Sequence, residues 1–153
     1  MVGTKYYVAY STSNQHKSIN YFEYCNNLAS LNYTWNSTYS VCYRYHTEVL
    51  LPDQYKEACQ SEDSRSRVML LDSDEMFNFT TAITKENIAG PLYLQGLRLD
   101  NNTFVDDEGR QITYFKWDDG EPDTGNYLRT DRNTYLQKTA SGSGSYRFIC
   151  RIY

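Results

Sequence analysis

The sequence predicts a single α+β domain, and three observations predict it. The helical patterns all precede Gly90-Pro91, and most of the strand patterns follow it. The segment Gly109–Asp123 then runs a strand pattern into an acidic, proline-bearing loop, with Cys150 closing the chain behind it. Helices followed by strands is an α+β order, whereas alternating βαβ units would predict a parallel sheet. At 153 residues the chain is long enough to bury one substantial core.

Taken in order, Lys5–Tyr10 is aromatic and β-branched and reads as a strand. His16 to Leu28 carries Ile19, Tyr21, Phe22 and Cys25 and reads as a short helix. Residues 29–40 are rich in Asn, Ser and Thr and read as an exposed connector. Val41–Tyr45 returns to strand character. Pro52 opens a helix running through Gln60, because its fixed φ and missing N–H suit a first turn. Ser61 to Arg67 reads as polar loop and Val68–Leu71 as a short buried strand.

Asp72-Ser73-Asp74-Glu75 predicts a capping box, with Glu75 reaching back, ahead of a helix that places Met76, Phe79 and Ile83 on its core face. Beyond Gly90-Pro91, strands are expected at Leu92–Leu97, Gln111–Phe115, Asn126–Thr130, Thr134–Lys138 and Tyr146–Tyr153. Acidic loops lie between them, and Ser141–Ser145 is a flexible Gly/Ser turn.

Composition excludes several classes. Mean hydropathy is −0.72, and no apolar run approaches the roughly 20 residues of a membrane span. The net charge of −4 and the scattered basic residues argue against nucleic acid. The nearest approaches to a basic cluster, Arg65 with Arg67 and Arg129 with Arg132, read as solvated surface. Catalysis has no support from a Ser/His/Asp pattern or from the two histidines, His16 and His46. Glu121 and Asp123, two residues apart on a proline loop, read as ligands or surface charges rather than a glycosidase pair. Tyrosine is the outlier, with 16 residues. Its rigid ring and polar tip suit half-wet contact surfaces, and the total leans towards a binding face.

Cys25, Cys42, Cys59 and Cys150 are an even set without zinc spacing, which predicts disulfides and an oxidising compartment. Four Asn-x-Ser/Thr sequons, at Asn32, Asn36, Asn78 and Asn101, agree with a secreted or cell-surface protein.

The motifs from Cys42 onward resemble the C-type lectin-like domain. Cys42-Tyr43 followed by Cys59 is similar to that family's first strand and helix, and Val68–Glu75 to the strand entering its second helix. Leu94-Gln-Gly-Leu97, the Gly109, Tyr114, Trp117 spacing, Gly120-Glu-Pro-Asp123 and Phe148-Ile-Cys150 follow in the family's order. The resemblance covers about residues 41–153 by that order of motifs, and leaves 1–40 as an N-terminal extension packed on the domain. It implies two helices flanking small antiparallel sheets with a long loop region. It also implies Cys59–Cys150 and Cys25–Cys42 bridges. The alternative reading takes Lys17–Cys25 as the family's first helix, giving Cys25–Cys150 and Cys42–Cys59.

For the site, the resemblance implies a ligand loop at Glu121 and Asp123, with Asn126, Trp117 and Tyr127 nearby. Calcium would fall to Glu121, Asp123 and Asp119. The departures cut against calcium. Tyr127 and Gly142 stand where a second family disulfide belongs. Gln137-Lys138-Thr139 replaces the partner-strand ligands, and Gly125 stands where a carboxylate is usual. Two readings therefore stay open: a calcium-independent module for a protein or glycoprotein on a cell surface or matrix, and a calcium-dependent glycan-binding lectin.

Overall fold

The computed structural model describes residues 20–87 and 90–153. The strand expected at Lys5–Tyr10 lies outside them. Helix α1 (Tyr21–Asn27) starts because the Asn20 side chain accepts from the Phe22 and Glu23 N–H groups, and it buries Cys25. The connector expected at 29–40 is instead structured. A 3-10 turn at Ala29–Leu31 ends on Asn32 in the left-handed region, which asparagine tolerates, and strand β1 (Thr34–Asn36) pairs with β2 (Val41–Leu50).

Helix α2 (Tyr55–Glu62) begins later than Pro52 predicts, with Gln54 at its N-cap. Strand β3 (Ser66–Val68) takes in the end of the expected loop, and the buried Met69 and Leu71 continue beyond it outside any strand. Helix α3 (Asp74–Glu86) buries Met76, Phe79, Thr80, Ile83 and Thr84, an i, i+3, i+4, i+7, i+8 stripe. Its cap is the Ser73 hydroxyl, which accepts from the Met76 N–H. Ser73 at the N-cap puts Glu75 at the second helical position, one residue short of where a capping-box carboxylate must stand.

The remaining strands are β4 (Tyr93–Arg98), β5 (Phe104–Val105), β6 (Tyr127–Thr130), β7 (Gln137–Ala140) and β8 (Tyr146–Ile152). They form two antiparallel sheets, β1-β2-β8-β3 and β5-β4-β6-β7. The expected strand at Gln111–Phe115 is absent. Only Gln111 bridges, to Val105, and the rest runs extended with Ile112 buried, because the edge of β5 is just two residues long. The strand placed at Thr134–Lys138 starts at Gln137, since Asp131 binds the Asn133 and Thr134 N–H groups in a turn. Among the described residues no helix is long and apolar enough to cross a membrane.

One core cluster joins α3 to strands of both sheets, with Phe79 edge-on to Tyr39 and Tyr43. A second surrounds the disulfides, Cys25–Cys42 and Cys59–Cys150. Many tyrosines belong to these cores. Tyr33, Tyr55 and Tyr93 are buried. The Tyr55 hydroxyl accepts from the Tyr146 N–H at 2.8 Å, and burial pushes its pKa up to about 12. Tyrosine abundance here measures aromatic packing as much as contact surface.

Candidate functional site

The acidic loop that carries Glu121 and Asp123 is built between β4, β6 and β7. Its entry is fixed by the core. Trp117 stacks on Phe115 at 4.7 Å and meets Phe104 at 5.7 Å, so much of the half-buried indole is taken up in packing. Gln137, buried on β7, holds the same segment by accepting the Lys116 N–H on its side chain at 2.6 Å. The chain then turns at Gly120 (φ 79°) into a cis Glu121–Pro122 bond.

Glu121 is the hub. Its Oε2 accepts the Thr139 hydroxyl at 2.6 Å, the Thr139 N–H at 2.9 Å and the Asp123 N–H at 2.9 Å. Partial burial pushes its carboxyl up. These donors and the Lys138 charge more than offset that, and leave it below the ordinary glutamate value. Stability from this network is therefore present above the unfolded pKa and lost as pH falls through the folded one. Acid titration is expected to show a stability loss below about pH 4.5 that is smaller in Glu121→Gln, as read by denaturant melts at each pH.

Arg98 clamps the loop from the other side. Its Nε donates to the Gly125 carbonyl at 2.9 Å, its Nη1 to the Asn101 carbonyl at 2.6 Å and its Nη2 to the Asp123 carbonyl. Asp119, Asp123 and Asn126 are exposed. Tyr127 and Gly142 do lie side by side, and a Cβ on Gly142 would come within 3.2 Å of the Tyr127 ring. Sequence reasoning missed Arg98, and named Thr139 only within the segment that replaces the partner-strand ligands. The one available signal was an arginine directly after the Leu94–Leu97 strand motif.

Calcium takes six to eight oxygens, mostly free carboxylates and carbonyls. Here one Glu121 oxygen already carries three hydrogen bonds, and the Lys138 ammonium stands 3.5 Å from Asp118 and 3.8 Å from Asp131. Lys138 thus pairs with Asp118 and Asp131 and adds positive charge near Glu121. Gly125 blocks the missing ligand physically, because a Cβ there would lie 2.5 Å from the Ala140 backbone nitrogen. Among the described residues, Glu121, Asp123 and Asp119 do not bring three carboxylate oxygens together. Among the described residues, His46, Glu62 and Cys150 alone bring three potential ligand atoms together, and the Cys150 sulfur is spent in its disulfide. Gly125→Asp is accordingly expected to lower the melting temperature and to confer no calcium binding, checked by thermal melts with and without calcium.

No family model matches the sequence, and no curated protein does. Solved structures do. The C-type lectin CEL-I from Cucumaria echinata aligns at TM-score 0.68 and 16% identity, over 79% of this chain and 94% of its own. Human lithostathine aligns at 0.69 and 16%, over 78% and 87%. The mouse scavenger receptor C-type lectin carbohydrate-recognition domain aligns at 0.65 and 17%, over 78% and 91%. The chain has the C-type lectin-like fold.

Proposed function

We propose that this domain is an extracellular recognition module that binds a protein or glycoprotein ligand without calcium, through the rigid loop from Asp118 to Asn126. The observation that carries the reading is the Glu121 carboxylate. In a metal-dependent site it would hold the ion, and here Thr139 and the Asp123 N–H take its place. Leu97 and Leu99, 45% and 64% exposed, flank Arg98 at the base of the loop. They give the surface the apolar component that protein contacts favour.

Two disulfides and exposed sequon asparagines at Asn32, Asn78 and Asn101 support the extracellular setting. Asn36 is half-buried at the end of β1, and its side-chain oxygen accepts the Tyr39 N–H. The fold's structural neighbours and the absence of a nucleophile–base pair in the motifs agree with a binding rather than a catalytic role.

Calorimetric titration with calcium tests this reading. No saturable heat is expected up to millimolar concentrations, the weak end of extracellular calcium sites, and chelator should leave the melting temperature unchanged. Micromolar-to-millimolar binding that disappears in Glu121→Gln would replace the proposal with a calcium-dependent glycan lectin. A glycan array run with and without chelator would then define its ligand.

A further inference from the structure

We propose that a second site, formed around Tyr153 by Arg65, Arg67, Arg110 and Arg151, binds a tetrahedral oxyanion: a sulfate or phosphate ester group. None of these residues belongs to the Asp118–Asn126 loop, and the proposal does not rest on the reading given to that loop.

Two clefts meet at Tyr153. One, of about 280 Å³, is lined by Arg65, Arg67, Arg110, Glu108 and Gln95. The other, of about 310 Å³, is lined by Arg151, Tyr21 and Ser40. Tyr153 lines both and is not a loose end, because its hydroxyl accepts the Leu70 N–H at 2.9 Å.

The arginines there are unevenly satisfied. Arg67 and Arg151 stand directly opposite each other on β3 and β8, so their side chains share a face, and like charges in that arrangement repel. Glu108 is divided between Arg67 at 2.8 Å and Arg110 at 3.2 Å. Asp106 is held by Arg110 and by the Glu108 and Arg110 N–H groups. Asp63 accepts from the Arg65 N–H and the Tyr24 hydroxyl. Asp107 near Arg67 and Asp72 near Tyr153 add further carboxylate charge, so the site is marked by unpaired arginine donors rather than by net charge.

Among the described residues, Arg151 Nε and Nη1 and Arg65 Nη1 are buried without a hydrogen-bond partner. Buried donors left unpaired cost free energy that an acceptor would recover. Two of the guanidiniums are also held in plane: Arg151 lies over the Tyr153 ring at 4.5 Å and Arg65 over Tyr24 at 4.7 Å. Stacking fixes the plane of the fork and leaves its edge for acceptors, the arrangement by which arginine recognises sulfate and phosphate. Forks presented from β3, from β8 and from the loops that carry Arg65 and Arg110 suit a tetrahedral anion with three free oxygens better than a planar carboxylate with two.

The test is an NMR titration of the intact chain with inorganic sulfate, inorganic phosphate and acetate, at ionic strength held constant with chloride. Saturable shifts of the Arg67, Arg110 and Tyr153 amides are expected with sulfate or phosphate, and smaller or unsaturable ones with acetate. A preference between the first two anions tells which ester the cleft prefers. Arg110→Gln removes a guanidinium that is 71% exposed and leaves the buried Asp106 its two N–H donors. Together with Arg151→Gln, it should weaken binding about tenfold or more, since a hydrogen bond to a charged group is lost. Arg151→Lys should fall between wild type and Arg151→Gln, because it keeps the charge and loses the fork. Shifts that fail to saturate, that chloride reproduces, or that persist unchanged in both glutamine variants would mean general screening and overturn the site.

Discussion

Replacing Cys59 and Cys150 together by alanine is expected to lower the unfolding free energy by about 4–5 kcal/mol, because their bond closes 91 residues of chain. The same replacement at Cys25 and Cys42, which close 17 residues, is expected to cost about 3 kcal/mol. Small domains have only about 5–15 kcal/mol in hand, so the first change takes away much of the margin and the second leaves a folded protein. Topology adds to this, since Cys150 lies on β8, the strand that joins β2 to β3. Burial does not separate the pairs, because all four cysteines lie in the second core. Urea unfolding of the two double variants makes the comparison. Equal losses would mean that chain closure is not the main source of stabilisation.

The fold was readable in this sequence because its signals are local or ordered along the chain. The core stripe of α3 is set by helical spacing, so Met76, Phe79 and Ile83 were found directly. The order of Cys42, Cys59, Val68–Glu75, Gly109, Trp117 and Cys150 implied the C-type lectin-like fold, and the structural neighbours have it. What could not be read depends on contacts distant in sequence. Residues 111–115 have strand composition but no second strand long enough to pair with them, and pairing is not a property of one segment. Asn, Ser and Thr at 29–40 suggested an open connector. Pairing of Thr34–Asn36 with Val41–Tyr43 overrides that composition.

The same limit governs both sites. Glu121 and Asp123 were visible as an acidic loop, but their partners Thr139, Lys138 and Arg98 come from β7 and β4. Those partners decide whether the acids are ligands or internal braces. Arg65 and Arg67 read as solvated charge in isolation. Folding brings Arg151 opposite Arg67 and sets Arg110 in the same cleft. Charge clusters built across strands are invisible to any window along the chain.

Phe104→Ala is expected to cost about 3–5 kcal/mol and also to loosen the recognition loop, whereas Phe79→Ala should cost a similar amount and leave the loop closed. Both rings are fully buried in the same core. They differ in what leans on them. Phe79 faces Tyr39 and Tyr43, on the side of α3 and β2. Phe104 carries Trp117 on one side and the Arg98 guanidinium, 4.8 Å away, on another. Arg98 is the group that holds the Asp123 and Gly125 carbonyls. Without the ring beneath it, the guanidinium loses its stacking surface, and the loop loses the clamp that opposes the Glu121–Thr139 bonds. Hydrogen exchange at matched stability separates the two effects, since global unfolding is then the same for both variants. The Asp123 amide, bonded to Glu121 and Thr139, should exchange faster in Phe104→Ala than in Phe79→Ala. Equal protection in the two would mean that the loop is held by β7 alone and that Arg98 is incidental to it.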